Sequence, residues 1–335
     1  MKALLARLQI DPYLLMLLGT MALATVLPAR GVWAPIAGGV ADAGIVALFF
    51  LHGARLSRQA VLDGLRNWRL HLAVFAMTFA VFPLLGLGIH AIPVLEPELA
   101  TGLLFLTLLP STVQSSIGFT AVARGNVAAA VCSASFSNLA GIFITPLLVA
   151  LLITGKSGGV STHMVLTIAF QLLLPFLMGH FLRPWIGEWV ARQKKLLAFV
   201  DKGSILLVVY TAFGAAVVEG LWRRVAPVDL AMVLGISAVL LGVVLCLSYA
   251  LARMLKMPRG DAIVLQFCGS KKSLATGVPM AGVLFAQSQV GAILLPVVIF
   301  HQIQLMVCAV LAQRYRAAAD REDAAGEAAA RQAPA

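Results

Sequence analysis

Apolar runs long enough to cross a bilayer recur along almost the whole chain, and they constrain its fold more than any single residue. A membrane helix needs about 20 apolar residues, within a wide range. Runs of that kind occupy residues 11–27, 36–53, 70–90, 100–121, 127–153, 163–182, 198–218, 228–251, 262–285 and 291–312. Lipid offers backbone amides and carbonyls no partners, so each run is read as a helix. The expected fold is an all-α polytopic membrane protein with about ten transmembrane helices. Of the 335 residues 61% are hydrophobic and 12% charged, a balance that excludes a soluble domain. In a soluble protein the net charge of +11 would suggest nucleic acid. Here the basic residues sit in short loops between spans, where they set orientation. No nucleic-acid partner is expected. The partners expected are the lipid bilayer and a small organic solute; no protein partner is legible. Cys132, Cys246, Cys268 and Cys308 lie in apolar runs without metal-ligand spacing and read as small core residues. No small-residue cleavage site follows the first run, which is read as a retained helix.

Charge in the loops predicts topology. Lys2 and Arg7 precede the first span, Arg55, Arg58, Arg66 and Arg69 follow the second, and Arg124 follows the fourth. Further clusters follow the sixth, eighth and tenth spans, whereas the alternate loops hold only Arg30, Lys156, Arg223 and Arg224. The positive-inside rule then places both termini in the cytoplasm of a cell whose inner membrane holds the chain. Arg223 and Arg224 run against the pattern, with Glu219 and Asp229 near enough to offset them. The glycine-rich break at 155–159 divides the spans five and five. An odd number per half inverts the second half relative to the first, as in many secondary transporters. The expected organisation is a first five-helix repeat over 1–155, an inverted second over 160–316, and a disordered or frayed cytoplasmic tail over 317–335.

One span carries what a span should not. Between the apolar runs 262–265 and 280–285 lie Gly269, Ser270, Lys271, Lys272, Ser273, Thr276, Gly277 and Pro279. A lysine at mid-bilayer costs roughly 2.5–3.5 kcal/mol on insertion scales, so two together need a reason. A cytoplasmic loop between two short spans would supply one. The glycines and proline favour a broken helix, whose freed backbone groups survive in lipid only when buried in protein or lining a wet cavity.

The fourth span is interrupted in kind at Pro110, beside Ser111, Thr112, Gln114, Ser115 and Ser116. Hydroxyl, amide and freed carbonyl oxygens suit a desolvated alkali cation, and exposed amides of a half-helix suit an anion. Any one of these hydroxyls would ordinarily be helix-packing glue; five polar residues in six beside a proline favour a site. In the fifth span Ser133, Ser137 and Gly141 form a small-residue stripe read as packing, with Asn138 as a lining residue. In the tenth, His301, Gln304 and Cys308 share one face. Metal-spaced His/Cys sets, phosphate loops and acid–base pairs do not occur, so no enzyme and no cofactor is expected.

The segments 109–116, 123–126, 133–138 and 268–275 together resemble the bile acid:sodium symporter superfamily, in its bacterial branch related to the seventh member of solute carrier family 10. The resemblance covers almost the whole chain. It implies two inverted five-helix repeats in which broken helices four and nine cross within a core domain. That core moves against a panel made from the first two helices of each repeat. It also implies a possible Na⁺ site near Ser115, Ser116, Ser133 and Ser137. The glutamate and glutamine that join two cation sites on helix nine of sodium-coupled members are replaced here by Phe267 and Lys271, which puts two-sodium coupling in doubt.

The expected function is a secondary transporter of a small organic, anionic solute working by alternating access, with Na⁺ or H⁺ coupling open. The alternative is a non-transporting scaffold or regulatory protein on the same fold. The candidate substrate- or ion-binding residues are Thr112, Gln114, Ser115, Ser116, Ser133, Ser137, Asn138, Ser270, Lys271, Lys272, Ser273, His301 and Gln304. One lysine ammonium is expected to stand in for a cation at the crossing. Alignment on Gly269 favours Lys271, ringed by Ser115, Ser116 and Ser137.

Overall fold

A computed structural model describes residues 12–55, 67–92, 95–154, 166 and 169–332. The glycine-rich break at 155–159, Lys156, Arg58, Arg66 and the N-terminal Lys2 and Arg7 lie outside the described residues. Among the described residues every regular element is helical. In chain order these are α1 (Pro12–Val26), α2 (Trp33–Arg55) and α3 (Trp68–His90), the last holding a π turn at Met77–Val81. Then come α4 (Pro97–Leu108), α5 (Gln114–Val122) and α6 (Val127–Val149), followed by α7 (Leu174–Arg192) and α8 (Lys194–Val218). After α9 (Pro227–Met254) come α10 (Arg259–Gly269), α11 (Leu274–Leu284) and α12 (Gln287–Gln332).

Of these, α2, α3, α6, α8, α9 and α12 are long and apolar enough to cross a membrane. The interrupted segments give pairs of short helices instead, α4 with α5 and α10 with α11. Local chemistry sets their ends. The Glu96 carboxylate caps α4 by accepting from the amides of Glu98 and Leu99, and Pro97 occupies the first turn where its missing N–H costs nothing. Asn126 caps α6 through the Ala129 amide, and Ser273 caps α11 through the Thr276 amide.

The structure adds to two expectations. The segment from Ala317, expected to be disordered or a frayed helix, continues α12 as helix to Gln332. Its alanine, glutamate and arginine are strong helix formers, and Arg124 anchors it by ion pairs to Asp320 (2.6 Å) and Asp323 (2.5 Å). Arg224 finds its partner in Glu98 at 2.9 Å, across the chain at the start of α4, and this carboxylate holds the guanidinium above its ordinary range.

The helices pack in two groups. In one, α2 lies against α7 and α8, and α1 against α8. In the other, α12 is flanked by α4, α9 and α11, with α3 against α4 and α10, and α8 joins the two groups by packing along α12 and α11. The α2–α7 contact is backbone on backbone. A Cβ on Gly53 would run into the Phe176 carbonyl, and one on Gly179 into the Phe50 carbonyl. Small residues let helices approach this closely in lipid, where packing and not water drives association.

Candidate functional site

The two interruptions meet. Pro110 cannot continue α4, and the carbonyls around the break are left without intrahelical donors. Side chains and a distant amide supply them. The Thr145 hydroxyl donates to the Leu108 carbonyl (2.7 Å), the Ser273 amide to the Pro110 carbonyl (2.9 Å), and the Asn138 amide to the Ser111 carbonyl (2.7 Å). The Ser111 amide donates to Ser137 Oγ at 3.0 Å.

The break between α10 and α11 is sealed from the other side. Ser111 Oγ donates to the Cys268 carbonyl (2.6 Å), and Ser116 Oγ to the Phe267 carbonyl (3.2 Å). Ser270 Oγ donates back to the Gln266 carbonyl. The buried Gln304 on α12 grips the Lys272 backbone twice, accepting from its amide and donating to its carbonyl, both at 2.9 Å. His301 lies one turn away, its Nδ1 2.9 Å from Gln304 Nε2. The Thr276 hydroxyl donates to Asn138 Oδ1 at 2.8 Å, so Asn138 ties both breaks together.

Lys272 fills the centre. Its ammonium donates to the carbonyls of Thr78 (2.8 Å), Thr107 (2.7 Å) and Leu109 (2.7 Å), and lies 4.1 Å from the centre of the Phe82 ring. All three carbonyls are freed where a helix is interrupted. Thr107 and Leu109 lie at the end of α4, and the Ser111 amide that would close a helical turn on Thr107 goes to Ser137 instead. Thr78 sits in the π turn of α3, where the Phe82 amide goes to Met77 and the next residue, Pro83, has no N–H to give. Three acceptors at these distances match the three donors of a protonated amine.

Lys271 is equally buried but differently met. Its ammonium reaches one hydroxyl, Ser115 Oγ at 3.3 Å, and lies over the rings of Phe119 (4.3 Å) and Phe267 (5.7 Å). Lys272 is thus the lysine ringed by backbone carbonyls, and Lys271 reaches Ser115, one of the three serines expected around it. At the break the chain no longer keeps helical spacing, so alignment on Gly269 could not choose between the two. Among the described residues no carboxylate lies within ion-pair distance of either ammonium.

The structure gathers most of the candidate residues, though not as one shell. Thr112 Oγ1 lies 2.8 Å from Ser115 Oγ and 3.0 Å from Ser116 Oγ. Ser133 Oγ instead meets His71 Nδ1 at 2.8 Å on α3, and Gln114 is exposed. Of the stripe read as packing, Ser137 and Gly141 face the α4–α5 break, Ser137 by a hydrogen bond and Gly141 by leaving room for the Pro110 ring, and Thr145 one turn on bonds to it as well. His71, Thr78 and Phe82 went unnoticed in the sequence. A threonine five residues before a proline inside an apolar span was the available signal for Thr78.

Relatives give this junction its family. The SBF-like CPA transporter family matches residues 11–317. The chain belongs to that family, which is of the bile acid:sodium symporter type. It is 56% identical over 319 residues to an uncharacterized protein of Pseudomonas aeruginosa, covering 94% of this chain and 95% of that one. It is 52% identical over 309 residues to YfeH of Escherichia coli K12, a candidate symporter, covering 92% and 93%. Rat sodium/bile acid cotransporter 7 is 27% identical over 278 residues, covering 80% of each chain. As a family member the chain is a multi-pass membrane transporter, and the polar junction lies in the part of it that the family match spans.

Proposed function

We propose that the protein is a secondary transporter of a small organic anion, working by alternating access. The carrying observation is the junction itself: two buried ammonium groups share it, with no carboxylate within ion-pair distance among the described residues. Buried charge of one sign calls for a counter-charge, and a solute anion supplies it. Lys271 is the contact for that anion, since Ser115 answers only one of its donors. Because Lys271 is enclosed, the solute reaches it when the two helix groups shift relative to each other.

The wider reading is ten spans in two inverted five-helix repeats. The pairs α4–α5 and α10–α11 are the broken fourth and ninth spans, and α1, α2, α7 and α8 are the panel. The paired interruptions support it, as do the mutual contacts of α2 with α7 and α8 and of α1 with α8. Both termini lie in the cytoplasm and the membrane is the inner one.

Uptake or counterflow in proteoliposomes, screened over organic acids and sterol conjugates, tests the transport reading. Flux should appear for an anionic solute and fall about 10–100-fold in Lys271→Gln, the value of one hydrogen bond to a charged group. If no anionic solute moves in either direction, the scaffold alternative replaces it. Reporter fusions at Ser157 and Ala317 should report opposite sides of the membrane; the same side for both would remove the inverted repeat.

A further inference from the structure

We propose that the carbonyl cage around Lys272 is a monovalent-cation site which the chain fills permanently with its own ammonium. Carbonyls freed at helix interruptions are what transporters use to hold alkali cations. Here three such carbonyls, from two different helices, converge within 2.7–2.8 Å of one nitrogen, and the Phe82 ring closes a further side at 4.1 Å. The cage is built to receive positive charge, because the end of α4 at Leu108 and the π turn before Pro83 leave those oxygens without helical donors. The backbone on either side of the occupant is pinned by Gln304, so the ammonium is delivered to the cage and held there. Lys271, one residue away, has no such cage, which assigns the two lysines separate tasks.

A resident cation has a functional consequence, and this part rests on the transport reading above. The junction forms without any ion from solution, and no cation leaves with each cycle. Transport is therefore independent of a sodium gradient, and runs as exchange or down the gradient of the solute itself.

The cage can be tested without flux. In Lys272→Ala the full-length protein in detergent should melt at a lower temperature. Added n-propylammonium chloride, which restores the missing length and its three donors, should raise the melting temperature by several degrees with saturation. Tetramethylammonium chloride, charged but without N–H groups, should not. Wild type should respond to neither, and should show no preference for Na⁺ over K⁺ or choline at equal ionic strength. A variant indifferent to n-propylammonium overturns the proposal, as does a wild type stabilised specifically by Na⁺. If Lys272→Ala cannot be purified without the amine, recovery on extraction with n-propylammonium supports the cage, and failure in its presence as well overturns it. Absence of flux for every solute would remove the transport reading and leave these melting results standing.

Discussion

The α2–α7 contact and the junction of the interrupted helices hold their partners by opposite means. The first is backbone against backbone, with Gly53 and Gly179 each facing a carbonyl of the other helix and leaving no space for a methyl group. Its helices keep their own hydrogen bonds, so all that joins them is close packing. At the second, two helices give up their internal bonds, and the oxygens released are answered by Lys272, Thr145, Ser111, Ser116 and Asn138. In lipid a polar group without a partner costs several kcal/mol, so the junction tolerates no half-measures. A packed seam can slide by small steps. A junction stitched by hydrogen bonds moves as one body.

The comparison breaks most readily at its centre. Lys272→Met keeps an unbranched apolar stem but leaves three buried carbonyls unanswered, each worth about 1–3 kcal/mol. Thermal unfolding in detergent should show a loss on the order of 3–5 kcal/mol. A melt within experimental error of wild type would mean the carbonyls find other donors and the ammonium is not what joins the helices.

Gly179→Val attacks the other region. Its side chain meets the Phe50 carbonyl, which belongs to a helix backbone and cannot step aside. Overpacking of this kind costs about 1–3 kcal/mol, and the same melt should register it. If α2 and α7 merely brush past each other, the variant will be silent.

Asn138 sharpens the account of the junction. Asn138→Leu removes the links to the Ser111 carbonyl and the Thr276 hydroxyl, for about 1–3 kcal/mol. Combined with Thr276→Val, the loss should be smaller than the sum of the two single losses, because they share one bond. Strict additivity would separate the two breaks.

The smallest effect lies outside both regions. Glu98→Gln weakens the half-exposed pair with Arg224 and should cost about 0–1 kcal/mol, less as salt rises. A larger or salt-insensitive loss would mean that the ends of α4 and α9 are held together more firmly than an exposed ion pair allows.

Much of this was legible in the residues. Apolar runs fixed the helical class, and Pro110 and the Gly269–Ser273 stretch marked where helices stop, because a missing N–H or a run of lysines and hydroxyls cannot sit in a continuous apolar helix. The hydroxyls beside Pro110 announced a polar neighbourhood. The tail left disorder and helix both open because its low apolar content and its high helix propensity point opposite ways, and Arg124, far away in sequence, adds an anchor.

What the chain alone determined, then, was that breaks exist and that positive charge is buried beside one of them; both follow from local covalent chemistry and from the hostility of lipid to unpaired polar groups. Which lysine the carbonyls ring, and which oxygens those are, was decided only by tertiary structure. The Thr78 carbonyl is available through a π turn 194 residues away from Lys272. A backbone oxygen has no letter in the sequence, and its freedom depends on how two distant helices are interrupted and brought together.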